Sequence, residues 1–257
     1  MQKVMNKNIA VIFAGGSGAR MGSGLPKQFL EVAGKPIIIH TLELFEEHDM
    51  IDKIYIACKK EYIKHLRRLI EKNFIRKVAG IVPGGSTGQD SIYRALKMAY
   101  DENDGDDIVL IHDGVRPHIT PAVITEDIEC VRQNGSAITC TPLFETPVIS
   151  SDGKTIDDVP SRDGFFTAQA PQCFFLKDVI AAHEQMRKIN PDYTDIIDTC
   201  TLMKKLGHEV VMVQGNRGNV KVTTPEDLYI FYGLVKYHEV EQIFGFGEKE
   251  VISGLKK

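Results

Sequence analysis

The stretch IAVIFAGGSGARMGSGLPK, residues 9–27, places an apolar run, a glycine cluster and two cations in direct succession. The apolar run is typical of a buried strand. Glycines after a strand let backbone N–H groups approach a ligand closely, and Arg20 and Lys27 add two positive charges beside that loop. A turn between a strand and a helix often needs glycine as well, but the added cations favour binding of a nucleoside triphosphate by its phosphates.

Strand and helix patterns alternate along most of the chain. Apolar or β-branched runs predict strands at 8–14, 53–58, 107–113, 136–141 and 209–214. Apolar residues at helical spacing predict helices at 37–47, 61–72, 90–101, 122–133, 176–186, 198–206 and 225–237. This alternation predicts an α/β, Rossmann-like fold, with a mostly parallel, twisted sheet and helices on both faces. Ligands of such sheets bind at the carboxyl ends of the strands.

Residues 146–160 interrupt this alternation. Two short strand patterns flank Asp152-Gly153, and an Asp-Gly pair between strand patterns is a strong hairpin signal. We therefore expect a β-hairpin arm that protrudes from the sheet. The domain prediction is a single domain over residues 8–237, followed by a C-terminal tail, 238–257, to which no role is assigned.

Composition excludes several classes of protein. The chain has 257 residues and a formal net charge of −4, so no overall positive field would attract nucleic acid. Its five cysteines are scattered without a CxxC pair, which argues against structural zinc and against a secreted disulfide scaffold. No apolar run approaches membrane-spanning length and no signal peptide is recognisable. We expect a soluble, cytoplasmic protein with neither nucleic acid nor a membrane as partner.

Two further clusters follow predicted strands. The loop Gly84–Gly88, GGSTG, precedes a helix that begins near Asp90 and Ser91, and its backbone could bind a base or a sugar. Taken alone, this loop is better explained as an ordinary turn between a strand and a helix. In HDGVRP, residues 112–117, Asp113 could hold Mg²⁺ near phosphates because hard cations prefer carboxylate oxygen. Arg116 could pair with Asp113 or bind substrate. A structural, buried role is expected for the neighbouring histidine, His112.

Spacing alone assigns no ligand to four other charged residues. Arg162 and Lys221 are typical of solvated surface cations, and Asp195 and Asp198 are typical of helix caps. Two familiar nucleotide sites are excluded. A P-loop needs Lys and then Ser or Thr after its glycines, whereas here Ala-Arg follows the third. A dinucleotide site needs an acid at the end of the second strand, where this chain has Cys-Lys-Lys.

Six motifs together resemble one family, the CTP-dependent polyol-phosphate cytidylyltransferases. They are AGGSGARM, LPKQF, GGSTGQDS, HDGVRP, APQ at 170–172, and NVKVTTPEDL. The resemblance extends over residues 8–237 and implies CTP and a small polyol phosphate as substrates, with Mg²⁺ or another divalent cation as cofactor. Two activities share the pattern: one enzyme acts on 2-C-methyl-D-erythritol 4-phosphate in isoprenoid synthesis, and the other acts on D-ribitol 5-phosphate and makes CDP-ribitol.

The resemblance also implies roles for individual residues. The implied catalytic cations are Arg20 and Lys27. The implied nucleotide-binding residues are Phe13, Ala14, Gly15, Gly16, Gly85, Ser86, Thr87, Gly88, Gln89, Asp90, Ser91 and Gly114. The implied substrate-positioning residues are Asp113, Arg116, Thr146, Arg162 and Lys221, with Asp113 also the metal ligand. Members of the family are dimers, and the 146–160 arm resembles the one that reaches into the neighbouring subunit.

Departures from the family pattern bear on the acceptor. The methylerythritol enzymes usually have Ala-Ala between the Asp and the Arg of the HDGVRP motif, whereas this chain has Gly114-Val115, which is more similar to the ribitol enzymes. Residues 86–88, Ser-Thr-Gly, replace the acid and base usual after the paired glycines, a departure that concerns the contacts to the nucleotide base. We therefore expect a cytidylyltransferase acting on ribitol 5-phosphate, with methylerythritol phosphate as the alternative. An NAD-dependent dehydrogenase and a non-catalytic nucleotide-binding module are further alternatives with less support.

Overall fold

The computed structural model describes residues 6–16 and 24–244. Its strands are β1 (Asn8–Ala14), β2 (Glu31–Val32), β3 (Lys35–Pro36), β4 (Lys53–Cys58), β5 (Val78–Pro83), β6 (Ile108–Asp113), β7 (Ser136–Pro142), β8 (Phe166–Phe175) and β9 (Met212–Gln214). Its α-helices are α1 (Ile37–Glu46), α2 (Ile63–Lys72), α3 (Gly88–Glu102), α4 (Pro121–Asn134), α5 (Leu176–Ile189), α6 (Thr199–Lys205) and α7 (Pro225–Phe244). Within this part of the chain no helix is both long and apolar enough to span a bilayer.

Seven strands form the central sheet, in the order β5-β4-β1-β6-β8-β7-β9. The strands β5, β4, β1 and β6 are parallel, and β9 is parallel to β7. Only β8 runs antiparallel to its neighbours β6 and β7. The predicted mostly parallel α/β sheet is therefore confirmed.

The side chains of β1 alternate between two cores, one on each face of the sheet. Ala10 and Ile12 pack in a cluster with apolar residues of α1, α2 and α4. Ile9 and Val11 belong to a second cluster, formed with residues of α3, α5 and α6. A strand that is buried on both faces has a nearly continuous apolar sequence. For this reason β1 and β6 were predictable from the sequence. Helices cover both faces, as predicted.

Strand β8 was missed by the sequence analysis. Its first residues, from Phe166 to Ala168, are exposed, so no continuous apolar run marks them. Pro171 lies inside the strand, and a proline normally argues against a central strand because it cannot donate to the ladder. The strand forms because β6 and β7 offer it an antiparallel partner on each side.

Helix α7 is longer than predicted. It continues through Phe244, so the first seven residues of the expected tail are helical. Its residue Phe231 is buried with Val32 and Val222 in a third cluster, which lies beside the chain segment after β6. This packing places the NVKVTT segment, residues 219–224, next to the HDGVRP motif.

The predicted arm is a minimal hairpin. Its ladder consists of one antiparallel bridge, in which the Ile149 N–H donates to the Asp158 carbonyl at 2.9 Å. At the turn, backbone N–H groups of Thr155 and Lys154 donate to the Asp152 carboxylate and hold its pKa well below its usual range. The large apolar side chains of the arm are all more than half exposed. They are Val148, Ile149, Ile156 and Val159.

Candidate active site

A cavity of about 550 Å³, called here the larger cavity, opens at the carboxyl ends of β1 and β6. The register pairs Phe13 with Asp113 across these two strands, so the first glycine loop and the HDGVRP motif meet there. The second glycine loop forms the opposite wall. The lining residues are Phe13, Ala14, Gly15, Gly16, Lys27, Gln28, Lys59, Gly85, Ser86, Thr87, Gly88, Ser91, Asp113, Val115 and Lys221.

Neighbouring side chains hold the described residues of the first loop in place. The buried Gln28 side chain donates to the Ala14 carbonyl at 2.7 Å. A Cβ on Gly15 would lie 3.2 Å from the Ser91 hydroxyl oxygen, so glycine keeps the two loops close. The Lys27 ammonium donates to the Val222 carbonyl at 2.9 Å and thereby stays at the cavity wall. Arg20 lies outside the described residues, and its catalytic role stays a prediction.

Hydrogen bonds shape the second loop around the start of α3. The Thr87 hydroxyl accepts from the Asp90 N–H at 3.0 Å, as expected of an N-cap. The Ser91 hydroxyl accepts from the Gly85 N–H and donates to the Thr87 carbonyl, both at 2.9 Å. Because the Ser91 hydroxyl holds the loop, the Gly85 N–H is no longer available to a ligand. Residues 86–88 remain on the cavity wall.

Asp90 supports this loop from behind and lines neither cavity of the site. Its carboxylate accepts from the Ser86 N–H at 3.2 Å and pairs with Arg94 at 3.0 Å and Arg187 at 2.8 Å. Burial alone would raise the pKa of Asp90, but the two guanidinium groups outweigh it and the pKa is lowered. A Cβ on Gly85 would overlap this carboxylate, so the glycine is required by packing.

Asp113 lies between two cations. One carboxylate oxygen is 2.6 Å from the Lys221 ammonium, and the other accepts from the Arg116 guanidinium at 2.9 Å. Burial would raise the pKa of Asp113, but Lys221 and then Arg116 outweigh it and lower the pKa, so the carboxylate stays ionised. Arg116 also donates to the Asn219 carbonyl at 2.7 Å. Lys221 is exposed, as spacing alone suggested, but its ammonium is paired with Asp113 on the cavity wall, a contact that spacing did not indicate.

The neighbours of Asp113 have packing roles. A Cβ on Gly114 would lie 2.8 Å from the terminal methyl carbon of Ile38 and 3.1 Å from the Ala14 Cβ, so a larger residue would crowd this position beneath the first loop. Gly114 lines neither cavity. His112 is fully buried, and burial lowers its pKa to about 4. Its ring is therefore neutral, with Nε2 3.0 Å from the Arg116 carbonyl oxygen. The expected structural role of His112 is confirmed.

A second cavity, of about 210 Å³ and called here the smaller cavity, adjoins the larger one. The two share Phe13, Gly88, Asp113 and Lys221. Of the predicted residues, Gln89 and Arg116 also line it. Four polar lining residues received no ligand role from the sequence, namely Gln169, Gln172, Asp198 and Thr199. The APQ motif contains one of them but carried no chemical signal for it.

Asp198 is the N-cap of α6, as expected, because its carboxylate accepts from the Thr201 N–H at 2.7 Å. The other carboxylate oxygen accepts from the Gln172 amide at 2.9 Å. Asp195 does not cap this helix and has a positive φ of 59°. Lys59 and Gln28 line the larger cavity and were also missed, because neither stands out from its neighbours in the sequence.

Two predicted residues lie apart from this site. Thr146, the first residue of the arm, and Arg162, two residues after its end, are exposed and line neither cavity. The Arg162 guanidinium donates to the Phe144 carbonyl at 3.1 Å. Within one chain, the structure therefore does not bring the arm residues to Asp113.

The described residues contain no cluster of three or more His, Cys, Asp or Glu side chains that could hold a metal ion. Asp113 is the only described carboxylate on the wall of the larger cavity, where Lys27, Lys59 and Lys221 supply positive charge. Mg²⁺ commonly takes one or two carboxylates together with substrate phosphates. The donor set therefore fits a cation held mainly by a bound triphosphate, with Asp113 as its protein ligand.

A glycine loop and three lysines around one carboxylate, at the carboxyl ends of parallel strands, fit an α/β protein that binds a phosphorylated ligand there. The relatives of this chain place it among the nucleotidyltransferases. The chain belongs to the 2-C-methyl-D-erythritol 4-phosphate cytidylyltransferase (IspD) family, whose sequence model matches residues 8–235.

The relatives include enzymes named for ribitol 5-phosphate and enzymes named for 2-C-methyl-D-erythritol 4-phosphate. A ribitol-5-phosphate cytidylyltransferase of Vibrio parahaemolyticus is 46% identical over 93% of this chain and 100% of its own length. A 2-C-methyl-D-erythritol 4-phosphate cytidylyltransferase of Clostridium botulinum is 38% identical over 88% of this chain and 96% of its own. The solved 4-diphosphocytidyl-2C-methyl-D-erythritol synthase of Anaerococcus prevotii superposes with a TM-score of 0.76 at 28% identity, covering 90% of this chain and 96% of that one.

Proposed function

We propose that this protein transfers CMP from CTP to D-ribitol 5-phosphate and releases pyrophosphate, giving CDP-ribitol. Membership of a cytidylyltransferase family supports the reaction class. The acceptor is supported by relatives with 46% and 43% identity, which are ribitol-5-phosphate cytidylyltransferases, against 38% for the methylerythritol enzymes. The observation that carries the proposal is the position of Asp113 and Lys221 on the shared wall of two cavities, where a nucleotide and an acceptor phosphate would meet.

The reaction needs little acid–base chemistry. An oxygen of the acceptor phosphate forms a bond to the α-phosphorus of CTP, and the bond from that phosphorus to the bridging oxygen of pyrophosphate breaks. The nucleophile is already an anion, so catalysis consists mainly of positioning two anions and stabilising charge. Lys27 and Lys59 stand where they can bind the triphosphate, and Lys221 stands where it can bind the acceptor phosphate.

A divalent cation belongs to this proposal. When bound with CTP, Mg²⁺ would reduce repulsion between the phosphates and the incoming anion. Asp113 would be its protein ligand, and Lys221 and Arg116 keep that carboxylate ionised and oriented. We expect pyrophosphate release to depend on added Mg²⁺ and to stop with a chelator.

We also propose a homodimer in which the arm, residues 146–160, reaches the neighbouring subunit. The exposed apolar side chains of the arm support this assignment, because such a patch on a protruding segment marks an interaction surface. Thr146 and Arg162 would then contact the acceptor phosphate in the other subunit. Light scattering of the intact chain and of a chain lacking residues 147–159 should give a dimer and a monomer respectively.

The compartment proposed is the cytoplasm. All five cysteines are free thiols, and four of them have pKa values raised by burial. Unpaired buried thiols are the usual state in a reducing compartment.

Pyrophosphate release from CTP, measured with each acceptor, tests the acceptor assignment. We expect kcat/KM for ribitol 5-phosphate to exceed that for methylerythritol phosphate at least tenfold. The family model and the Clostridium relatives are named for the alternative acceptor, methylerythritol phosphate. Turnover of methylerythritol phosphate alone would establish that alternative in place of ribitol phosphate.

A further inference from the structure

The Asp90 carboxylate, behind the second glycine loop, is bound by a residue from another helix. Its Oδ2 atom accepts from the Ser86 N–H at 3.2 Å and pairs with Arg94, one turn further along α3. Its Oδ1 atom accepts from the guanidinium of Arg187 on α5 at 2.8 Å. Neither arginine lines a cavity of the site. Arg187 therefore connects the support of this loop to a second helix without reaching the ligand site.

Two tyrosine rings hold the Arg187 guanidinium in place. Its central carbon lies 4.6 Å from the ring centroid of Tyr93 on α3 and 5.8 Å from that of Tyr193, in the segment after α5. A planar guanidinium stacks favourably on aromatic faces, which restricts its position. The Arg187 side chain is 38% exposed, yet these contacts direct it toward Asp90.

The backbone at Tyr193 is bent to make this contact. Its φ of 54° lies in the left-handed region, which is uncommon for a bulky side chain. The side chain is nevertheless buried, and its hydroxyl lies 2.9 Å from Nδ1 of His183. Burial, and to a smaller extent the charge of Arg187, lowers the pKa of His183 to about 3, so its neutral ring does not repel the guanidinium. Strained backbone persists where surrounding contacts fix it, often at functional sites.

We propose that Arg187 is a positioning residue for CTP, which acts by orienting the Asp90 carboxylate behind the nucleotide-binding loop. This inference rests on the proposed function, because it takes residues 86–88 as part of the CTP site. Without Arg187, only Arg94 on the same helix holds the carboxylate, and the hydrogen bond from the Ser86 N–H weakens. The loop then has to be ordered when CTP binds, which lowers the affinity.

Arg187→Met removes the charge and keeps an unbranched side chain between the two tyrosines. We expect the Kd for CTP, measured by calorimetry with Mg²⁺ and without acceptor, to rise about 5- to 30-fold through loss of a charge-assisted hydrogen bond. The kcat at saturating CTP and the KM for the acceptor should change less than about twofold. Arg187→Lys keeps the charge but not the planar fork, so its Kd should rise only about threefold, and it provides the test if Arg187→Met does not fold. Lys188→Met, at the exposed neighbour on α5, is the matched control.

A purely structural role for Arg187 predicts a different result. Loss of folded protein lowers the number of binding sites and the apparent kcat, but it leaves the Kd of the folded fraction unchanged. A double-mutant cycle separates the two roles further. Arg187→Met combined with Asp90→Asn should bind CTP no more weakly than Asp90→Asn alone, because both changes break the same pair.

Two results would overturn the inference. One is a Kd for CTP in Arg187→Met that lies within about twofold of the value for the unchanged protein. The other is full additivity of Arg187→Met and Asp90→Asn in the cycle. If the unchanged protein binds CTP but transfers CMP to neither acceptor, the proposed function fails, while the comparison of Kd values still decides the role of Arg187.

Discussion

Asp127 offers a quantitative test of the structure. It lies on α4, is fully buried, and has one carboxylate oxygen without a partner among the described residues. The other oxygen accepts from the Thr139 hydroxyl at 2.8 Å. Burial raises the pKa of Asp127 from 3.8 to about 8, with a smaller contribution from the charge of Glu126, while the Thr139 hydrogen bond lowers it. We therefore expect Asp127 to be protonated in the folded protein at neutral pH.

The sign of the pH dependence follows from proton binding. Between pH 4 and 8 the folded state holds a proton on Asp127 that the unfolded state has released, so this group makes folding less favourable as the pH rises. Each pH unit in this window is worth about 1.4 kcal/mol. Between pH 5 and 8 the free energy of unfolding should therefore fall by up to about 4 kcal/mol on account of Asp127.

Asp127→Asn removes this dependence because the amide does not titrate. The amide itself changes the free energy of unfolding by an amount that does not depend on pH. From pH 5 to pH 8, the free energy of unfolding of the variant should therefore rise by at least about 2 kcal/mol relative to that of the unchanged protein. Urea unfolding at the two pH values measures the difference. The melting temperature of the variant minus that of the unchanged protein should be about 4–8 °C larger at pH 8 than at pH 5. Glu129→Gln, on the same helix but exposed, is the matched control. A difference between variant and unchanged protein that is constant with pH would refute the reasoning.

Three further predictions concern the larger cavity. Lys27→Ala should lower kcat for pyrophosphate release about 100- to 1,000-fold through loss of one preorganised charge. Lys60→Ala, at an exposed position, should leave kcat unchanged. Near-normal turnover in Lys27→Ala would contradict a catalytic role for Lys27. Lys221→Met should lower kcat/KM for the acceptor and raise the pKa of Asp113, so the acidic limb of the pH–rate profile should move to higher pH. Gly85→Ala should lower the free energy of unfolding by about 1–3 kcal/mol through overpacking and raise the KM for CTP. Thermal melts and initial rates measure the two effects. An unchanged KM would contradict the close packing of Gly85 against the Asp90 carboxylate.

Much of the fold follows from local patterns. Strands β1, β4 and β6 are buried runs with unmistakable apolar character, and helices such as α1 and α4 begin and end within a residue of their predicted bounds. Strand β8 was not predictable because its first three residues are exposed and Pro171 lies inside it. Its existence depends on two neighbours that are distant in sequence, so no local pattern can report it.

The candidate site divides in the same way. The glycine loops, Lys27 and Asp113 were found because each lies within a short motif whose residue types indicate phosphate or metal binding. Lys221 is 108 positions from Asp113, yet the two side chains are in contact, and spacing alone favoured a surface position for it. Thr199 carries no signal at all in the sequence, since an uncharged residue at a helix start has many explanations.

The sequence by itself determined the fold class and the nucleotide half of the chemistry, because burial periodicity and loop composition are properties of adjacent residues. Only the tertiary structure decided which groups share a cavity. It paired Lys221 with Asp113, turned Asp90 away from the ligand to hold the second loop, and brought Gln89 and Thr199 to one wall. The physical reason is that packing of helices on a sheet brings together residues far apart in the chain, and burial then sets which of their polar atoms need a partner.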